Sequence, residues 1–312
     1  MKVSLFLCVI LGGVAPFFFF GGPGYHSPQS YKAAWNLGHI FFFSVVTILL
    51  FPYLIRWKRQ WHELQHLSVV FFLVLVAGVL VEFLQMYSSH RSPDVYDILR
   101  NQLGCLVGYT LITFKYKAAA ARWWVWPFRC FVCACLLFAL WPLTRSLVDE
   151  HVARKQFPVL ADFETPLERM RWMNSRQLEV QEKIVRHGKR AAQVRLTTAT
   201  YSGTTLFNFP HNWHDYSILH FSVYNPLEQP LKLHCRIHDT RHKESGSVFS
   251  DRFHQKFTLH QGWNDLQVSL KEVEQAPKSR NMDMGQIENL GFFVVRQPEP
   301  RLMYLDHIYL SR

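Results

Sequence analysis

After about residue 150 this chain of 312 residues has no apolar run of membrane length, although 49% of all its residues are hydrophobic. The apolar residues are therefore concentrated in the first half, and two unlike parts are expected. Cysteine is scarce, and five of the six (Cys8, Cys105, Cys130, Cys133, Cys135) lie in apolar stretches. Cys235 stands alone in the second half, which excludes an internal disulfide there. Cys130 and Cys133 form a C-x-x-C, but Phe, Val and Leu surround it, which is not a metal-site setting. Nucleophile-elbow, H-E-x-x-H and P-loop motifs are all missing. There is no repeat, and no low-complexity tract beyond Phe17 to Phe20. No small-x-small cleavage site follows the first apolar stretch, so it reads as a retained helix rather than a removed signal. Acidic residues are outnumbered, giving a net charge of +11. Much of the excess sits in short loops between apolar stretches, and an exported second half argues against a nucleic-acid role.

A membrane-crossing helix needs about 20 mostly apolar residues. Five stretches qualify, at about 3–20, 34–55, 64–86, 97–114 and 123–143. The fourth is the least apolar, because Asp97, Arg100 and Asn101 occupy its first turns. Lys and Arg concentrate in the second loop (Arg56, Lys58, Arg59) and the fourth (Lys115, Lys117, Arg122). The first loop has Lys32 alone, and the third has Arg91 beside Asp94. The positive-inside rule then puts loops two and four in the cytoplasm, the N-terminus inside and the second half outside.

One stretch, VEFLQMYSSHRSPDVYDILRNQLG, breaks the apolar pattern between the third and fourth spans. Gly78, Glu82 and Gln85 fall on one face of the third span, and Asp97, Asn101, Gly104 and Gly108 on one face of the fourth. The short connection makes these helices antiparallel neighbours, and the small-xxx-small pair Gly104/Gly108 allows close approach. His39 and Asn36, at the start of the second span, lie at the same level. Hydrocarbon penalises ionisable groups, so they face inward. Asp94 and Asp97 also suit an N-terminal capping role. The expectation is an outward-facing polar cavity lined by Asn36, His39, Glu82, Gln85, Arg91, Asp94, Asp97 and Asn101. The competing reading is a structural network. If chemistry occurs, its candidates are His39, Glu82 and Asp97.

The string His39, Glu82-x-x-Gln85, Arg91, Asp97-x-x-x-Asn101-x-x-Gly104-x-x-x-Gly108 resembles the VanZ-like family of small bacterial membrane proteins, over about residues 30–115. The family often carries a lysine one turn before the histidine. Here that position is Asn36. The resemblance implies a cell-envelope membrane protein.

From Val159 onward, short strands alternate with turns. Candidates are 159–164, 192–198, 217–225, 231–239, 253–260, 264–270, 290–295 and 303–310. In LKLHCRI the residues Leu231, Leu233, Cys235 and Ile237 alternate with polar ones. Such spacing predicts an antiparallel sandwich or jelly roll. Asp162-Phe163-Glu164, Tyr201-Ser202-Gly203, Trp213-x-x-Tyr216, Asp251-Arg252-Phe253, Gly262-Trp263-Asn264 and Leu305-Asp306 resemble the galactose-binding-like jelly rolls of carbohydrate-binding modules, over about 158–312. Tyr201, Trp213, Asp239, His242, Asp251, Arg252 and Arg280 are the candidate glycan contacts, with Trp172 and Trp263 as further aromatics. The resemblance also implies a structural calcium held by Glu164 and Asp306.

The chain is therefore read as a membrane domain at 1–145, a connector at 146–157 and an extracytoplasmic β-sandwich at 158–312. The leading functional expectation is a non-catalytic protein of the bacterial inner membrane. Its cavity binds a membrane lipid, lipid-linked glycan or other amphiphilic envelope molecule, and its sandwich binds carbohydrate. The alternatives are an intramembrane enzyme acting on a polyprenyl-linked saccharide, with Glu82 or His39 as general base, and a scaffold whose sandwich docks a protein.

Overall fold

The computed structural model describes residues 2–24, 27–87, 94–114, 125–173 and 175–312. The chain divides into two compact units, Met1–Ser146 and Leu147–Arg312. Each is described by itself.

Helices form where the apolar stretches were expected. They are α1 (Lys2–Val14), which runs into a 3-10 turn at Ala15–Phe18, then α2 (Gln29–Trp57), α3 (Glu63–Gln85), α4 (Val95–Phe114) and α5 (Val125–Gln156). By length and composition α2, α3 and α5 can cross a membrane, while the apolar Leu5–Phe18 helix is shorter. α5 continues unbroken to Gln156, so residues 146–156, expected as a connector, are its last helical turns.

α4 packs tightly on α2. A Cβ on Gly104 would stand 2.5 Å from the Ile40 carbonyl oxygen, and one on Gly108 2.5 Å from that of Ser44. Ser44 Oγ lies 2.7 Å from its own helix's Ile40 oxygen and 2.9 Å from that of Gly104, donating between the two helices. The glycine pair thus closes α4 onto α2, not onto α3 as the spacing suggested. On α3 the small residue is Gly78, where a Cβ would meet Asn101 Nδ2 at 2.7 Å. Phe43, Phe51, Val70, Val74, Cys105 and Tyr109 fill the space between these helices.

The second unit is an all-antiparallel sandwich of two sheets. One sheet has the order β3 (Leu178–Gln181), β4 (Ala191–Leu196), β11 (Arg301–Ser311), β6 (Ile218–Asn225), β9 (Gly262–Ser269), with β1 (Val159–Ala161) also on β11. The other has the order β2 (Trp172–Met173), β5 (Tyr201–Leu206), β10 (Ile287–Val295), β7 (Leu231–Asp239), β8 (Phe253–Leu259). Alternating residues such as Leu231, Leu233, Cys235 and Ile237 on β7, and Leu290, Phe292 and Val294 on β10, meet in the core between the sheets. Seven of the expected strands lie close to their observed bounds, and 159–164 shortens to β1. β2, β3 and β5 were not expected. β5 is YSGTTL, poor in large apolar residues. Its Gly203 is required by close contact, since a Cβ there would fall 2.5 Å from Phe293 Cα on β10.

Candidate functional site

In the helical unit the polar side chains of three helices converge. His39 on α2, Glu82 and Gln85 on α3, and Asp97 and Asn101 on α4 are all buried. His39 Nδ1 is 2.9 Å from Asn101 Oδ1, and its Nε2 is 3.4 Å from Asp97 Oδ2. Arg100 pairs with Asp97 and, at 3.3 Å, with Asp94. Glu82 Oε2 accepts the Asp94 backbone N–H at 2.7 Å, which ties α3 to the start of α4. Gln85 Nε2 donates to the Phe18 carbonyl at 2.8 Å, linking α3 to the 3-10 turn. Asn36 is half-buried, and Arg91 lies outside the described residues.

A cavity of about 250 Å³ adjoins this cluster. Its walls are Val14, Phe17, Phe18, Ala34, Trp35 and Gly38, and His39 is its one residue from the cluster. This apolar cavity differs from the polar one expected, because the acids and amides of the cluster are turned toward one another and toward backbone groups. A second polar group, at the far ends of α3 and α4, went unnoticed in the sequence. Tyr109 Oη donates to Glu63 Oε1 at 2.7 Å, and buried His66 reaches the Lys58 and His62 carbonyls at 3.0 and 3.1 Å.

In the sandwich a cleft of about 380 Å³ opens on the outer face of the five-stranded sheet. Strand alternation places the outward side chains in register there. Phe293 on β10 lies opposite Gly203 on β5 and His234 on β7, and Arg236 lies opposite Gly291 and His254. Tyr201, Arg236, Arg252 and Phe293 line the cleft with Met173 and the 202–205 segment of β5. Tyr201 is 69% exposed. His234 stacks on Phe293 at 5.3 Å and approaches His254 Nε2 through its Nδ1 at 2.8 Å. Burial, and next the Lys256 charge, hold His234 below the ordinary histidine range. Arg236, Phe293, His234 and His254 were missed in the sequence. For His234 and Arg236 the signal was present: the polar positions of LKLHCRIH alternate with its core residues, so they share the opposite face.

Two of the seven glycan candidates, Tyr201 and Arg252, reach this cleft. Trp213 does not, because it is fully buried in the core and its Nε1 donates to the Pro210 carbonyl at 3.0 Å. Trp172 is also core, stacked on Phe163. Trp263 packs against Tyr224 on the other sheet. Asp239, His242, Asp251 and Arg280 form a closed network instead of a set of sugar contacts. Arg280 Nη2 bridges Asp239 Oδ1 and Asp251 Oδ2 at 2.8 Å each, and His242 Nδ1 lies 3.2 Å from Asp251. Hydrogen bonds from Arg280 hold the Asp251 carboxyl below its ordinary range. The oxygens of both carboxylates and all three nitrogens of the Arg280 guanidinium have partners inside the protein, which is the physical reason the network staples the 240–252 loop.

Glu164 Oε1 accepts the N–H groups of Lys189 and Arg190 at 2.6 and 2.9 Å. Asp306 Oδ2 accepts those of Arg186 and His187 at 2.7 and 3.0 Å. The two carboxylates therefore hold one loop, 186–190. Asp306 Oδ1 is buried without a hydrogen-bond partner. Among the described residues, no group of three or more His, Cys, Asp or Glu side chains is placed to hold a metal.

Residues 7–116 match the family model described as VanZ/LLP1. No curated protein matches the chain. Among solved structures, the sandwich is similar to a family 11 carbohydrate-binding module from Clostridium thermocellum, solved with a beta-1,3-1,4-mixed-linked tetrasaccharide. Identity is 16%, over 49% of this chain and 94% of that one, with a TM-score of 0.36. It is also similar to CBM28, a non-crystalline cellulose specific carbohydrate-binding module, at 10% identity, 50% and 94% coverage and a TM-score of 0.34. An agarase, AgWH50C, matches at 13% identity over 49% of this chain and 26% of that one, with a TM-score of 0.37.

Proposed function

We propose that this is a glycan-binding protein anchored in the bacterial inner membrane, with its sandwich exported and the cleft on the five-stranded sheet as its binding surface. The observation that carries this reading is the cleft itself. An open cleft offers aromatic surface from exposed Tyr201 and from Phe293, with guanidinium donors beside them. That combination suits a sugar ring, whose faces pack on aromatics while its hydroxyls meet polar groups. The Lys and Arg distribution supports export of the sandwich. In the helical unit, the apolar cavity beside His39 fits the hydrocarbon part of an amphiphilic or lipid-linked envelope molecule. Its polar neighbours support the headgroup end.

Both ring nitrogens of His39 are engaged, by Asn101 and Asp97. That geometry favours binding over general-base catalysis at His39, because neither nitrogen is left to take a substrate proton. A glycan array probed with the purified full-length protein tests the proposal. A saccharide signal lost in Tyr201→Ala is the expected result. A silent array together with a stable co-purifying protein would favour the docking reading instead.

Calcium at Glu164 and Asp306 is a separate proposal, supported by the orphaned Asp306 Oδ1. A rise in melting temperature on adding calcium to chelated protein is expected. No rise would leave the carboxylates as anchors for the 186–190 loop alone.

A further inference from the structure

Among the described residues, the paired outward positions of the five-stranded sheet carry several basic side chains and no carboxylate, the one acid that reaches them being Glu288 in the β10 bulge at the end of the sheet. β7 contributes Lys232, His234, Arg236 and His238, alternating with its core residues. β8 contributes His254, Lys256 and Thr258, with Arg252 just before it. Opposite them β10 offers Asn289, Gly291 and Phe293, and β5 offers Tyr201, Gly203 and Thr205. The nearest acids are already committed. Glu288, in the β10 bulge, lies 3.7 Å from His238 at the end of the sheet, and Asp251 is held by Arg280 and His242.

Two of these cations are only half-exposed. Among the described residues neither Arg236 nor Arg252 makes an ion pair, and the Nε of each is buried with no hydrogen-bond partner. Arg236 makes one hydrogen bond, from Nη2 to Asn289 Oδ1 at a long 3.3 Å, and its guanidinium lies 5.8 Å from the Phe293 ring. Gly291 lies beside it, and a Cβ there would be in ordinary contact with Arg236 Nε at 3.6 Å. Arg252 lies 4.9 Å over the Phe249 ring. Burial, and then the charge of Arg252, push the Arg236 guanidinium below its ordinary range, and burial does the same to Arg252. His254 is lowered by burial first, then by His234 and the surrounding cations. A site that desolvates like charges together, with donors unspent, is short of negative charge.

We propose that the saccharide bound on this face is acidic, with its oxyanion held between Arg236 and Arg252 and its ring packed on Phe293 and Tyr201. This rests on the glycan-binding reading above. The planar fork of a guanidinium matches a carboxylate, and also an ester sulfate or phosphate. The shared chemistry is an oxyanion attached to a sugar.

Calorimetric titration of the full-length protein in detergent tests this, with four probes of similar length. These are an oligogalacturonate, its methyl ester, a sulfated neutral oligosaccharide and a single-stranded oligonucleotide. The expected result is binding of the oligogalacturonate at least about tenfold tighter than its methyl ester, a difference of about 1.4 kcal/mol. Arg236→Gln and Arg252→Gln should each remove most of that preference with an unchanged circular dichroism spectrum. Arg252→Lys keeps the charge and loses the fork, and should restore part of the preference even if the glutamine variants fold poorly. Preference for the sulfated probe would uphold the oxyanion and assign its source to an ester. Equal affinity for acid and methyl ester would overturn this inference while leaving the glycan reading in place. Binding of no saccharide at all would overturn both. Equally tight binding of the oligonucleotide would reduce the face to a general polyanion surface and also overturn the inference.

Discussion

The glycines of α4 show how one missing atom positions a site. With Gly104 and Gly108 against the α2 backbone, α4 comes close enough for Asn101 to meet His39. A methyl at Gly104 has backbone as its neighbour, which cannot swing away. Overpacking of this kind costs about 1–3 kcal/mol. Gly104→Ala should therefore lower the melting temperature of the full protein in detergent, whereas Gly12→Ala, with nothing within 4 Å of its added Cβ, should not. Equal effects from the two variants would remove the close-packing account. The glycine pair was legible in the sequence as a small-xxx-small spacing, but its partner helix was not. Spacing records that a face is flat without recording what meets it. His39, Glu82, Gln85, Asp97 and Asn101 were legible as an inward-facing group, because hydrocarbon leaves polar side chains few other places. Their mutual pairing was not legible, since it depends on the depth at which the helices cross.

Among the elements, the end of α5 matters more than its sequence suggested. Asp149, on its last turns, receives Arg171 Nε at 2.9 Å and Nη2 at 2.8 Å, and both side chains are buried. Glu168 Oε1 lies 3.8 Å from the same guanidinium. In the sequence the stretch from 146 to 157 reads as a connector between the two parts. In fact it carries the partner of a buried arginine. Removing one member of a buried pair strands the other charge, at a cost of about 3–5 kcal/mol. A soluble chain beginning at Leu147 should melt at a higher temperature than one beginning at Phe157, and Asp149→Ala in the longer chain should erase the difference. Identical melting of the two would show that the ion pair contributes nothing.

The same cluster sets a pH dependence. Burial, opposed by the Arg171 charge, pushes the Glu168 carboxyl up to about 7 from an ordinary 4.5. Its buried Oε2 has no hydrogen-bond partner. Burial likewise pushes Glu288 up to about 7. In the folded state these groups hold protons that the unfolded chain has released. Their contribution is complete below about 4.5 and is lost as pH rises toward about 7. Glu168 alone accounts for a change on the order of 3 kcal/mol. Four histidines held below their ordinary range, His220, His234, His254 and His307, act in the opposite direction over the same interval, so the comparison with Glu168→Gln isolates the carboxyl. The urea stability of the natural sandwich relative to Glu168→Gln should fall between pH 5 and pH 8, and a difference that stays constant or grows would contradict the assignment.

At the scale of the molecule, the chain joins a helical region, which matches the VanZ/LLP1 family model, to an antiparallel sandwich, and this division was legible from apolar run length and strand spacing. The binding face was legible only in part. Tyr201 and Arg252 were recognised by residue type, but so were Trp213 and Arg280, which turned out to be core and staple. What separates them is register, and register depends on pairings between strands far apart in sequence, such as β5 with β10. Topology is testable with a phosphatase fused after residue 160. Activity is expected in a Gram-negative host, and an inactive fusion would place the sandwich inside and end the envelope reading. The most direct measurement is a crystal structure of the protein with a saccharide identified on the array. The account predicts a sugar ring packed on Phe293 and Tyr201, with a polar substituent on Arg236 or Arg252. A saccharide seated instead on the six-stranded sheet or at a strand edge, with the 201–205 and 293 positions bare, would contradict it.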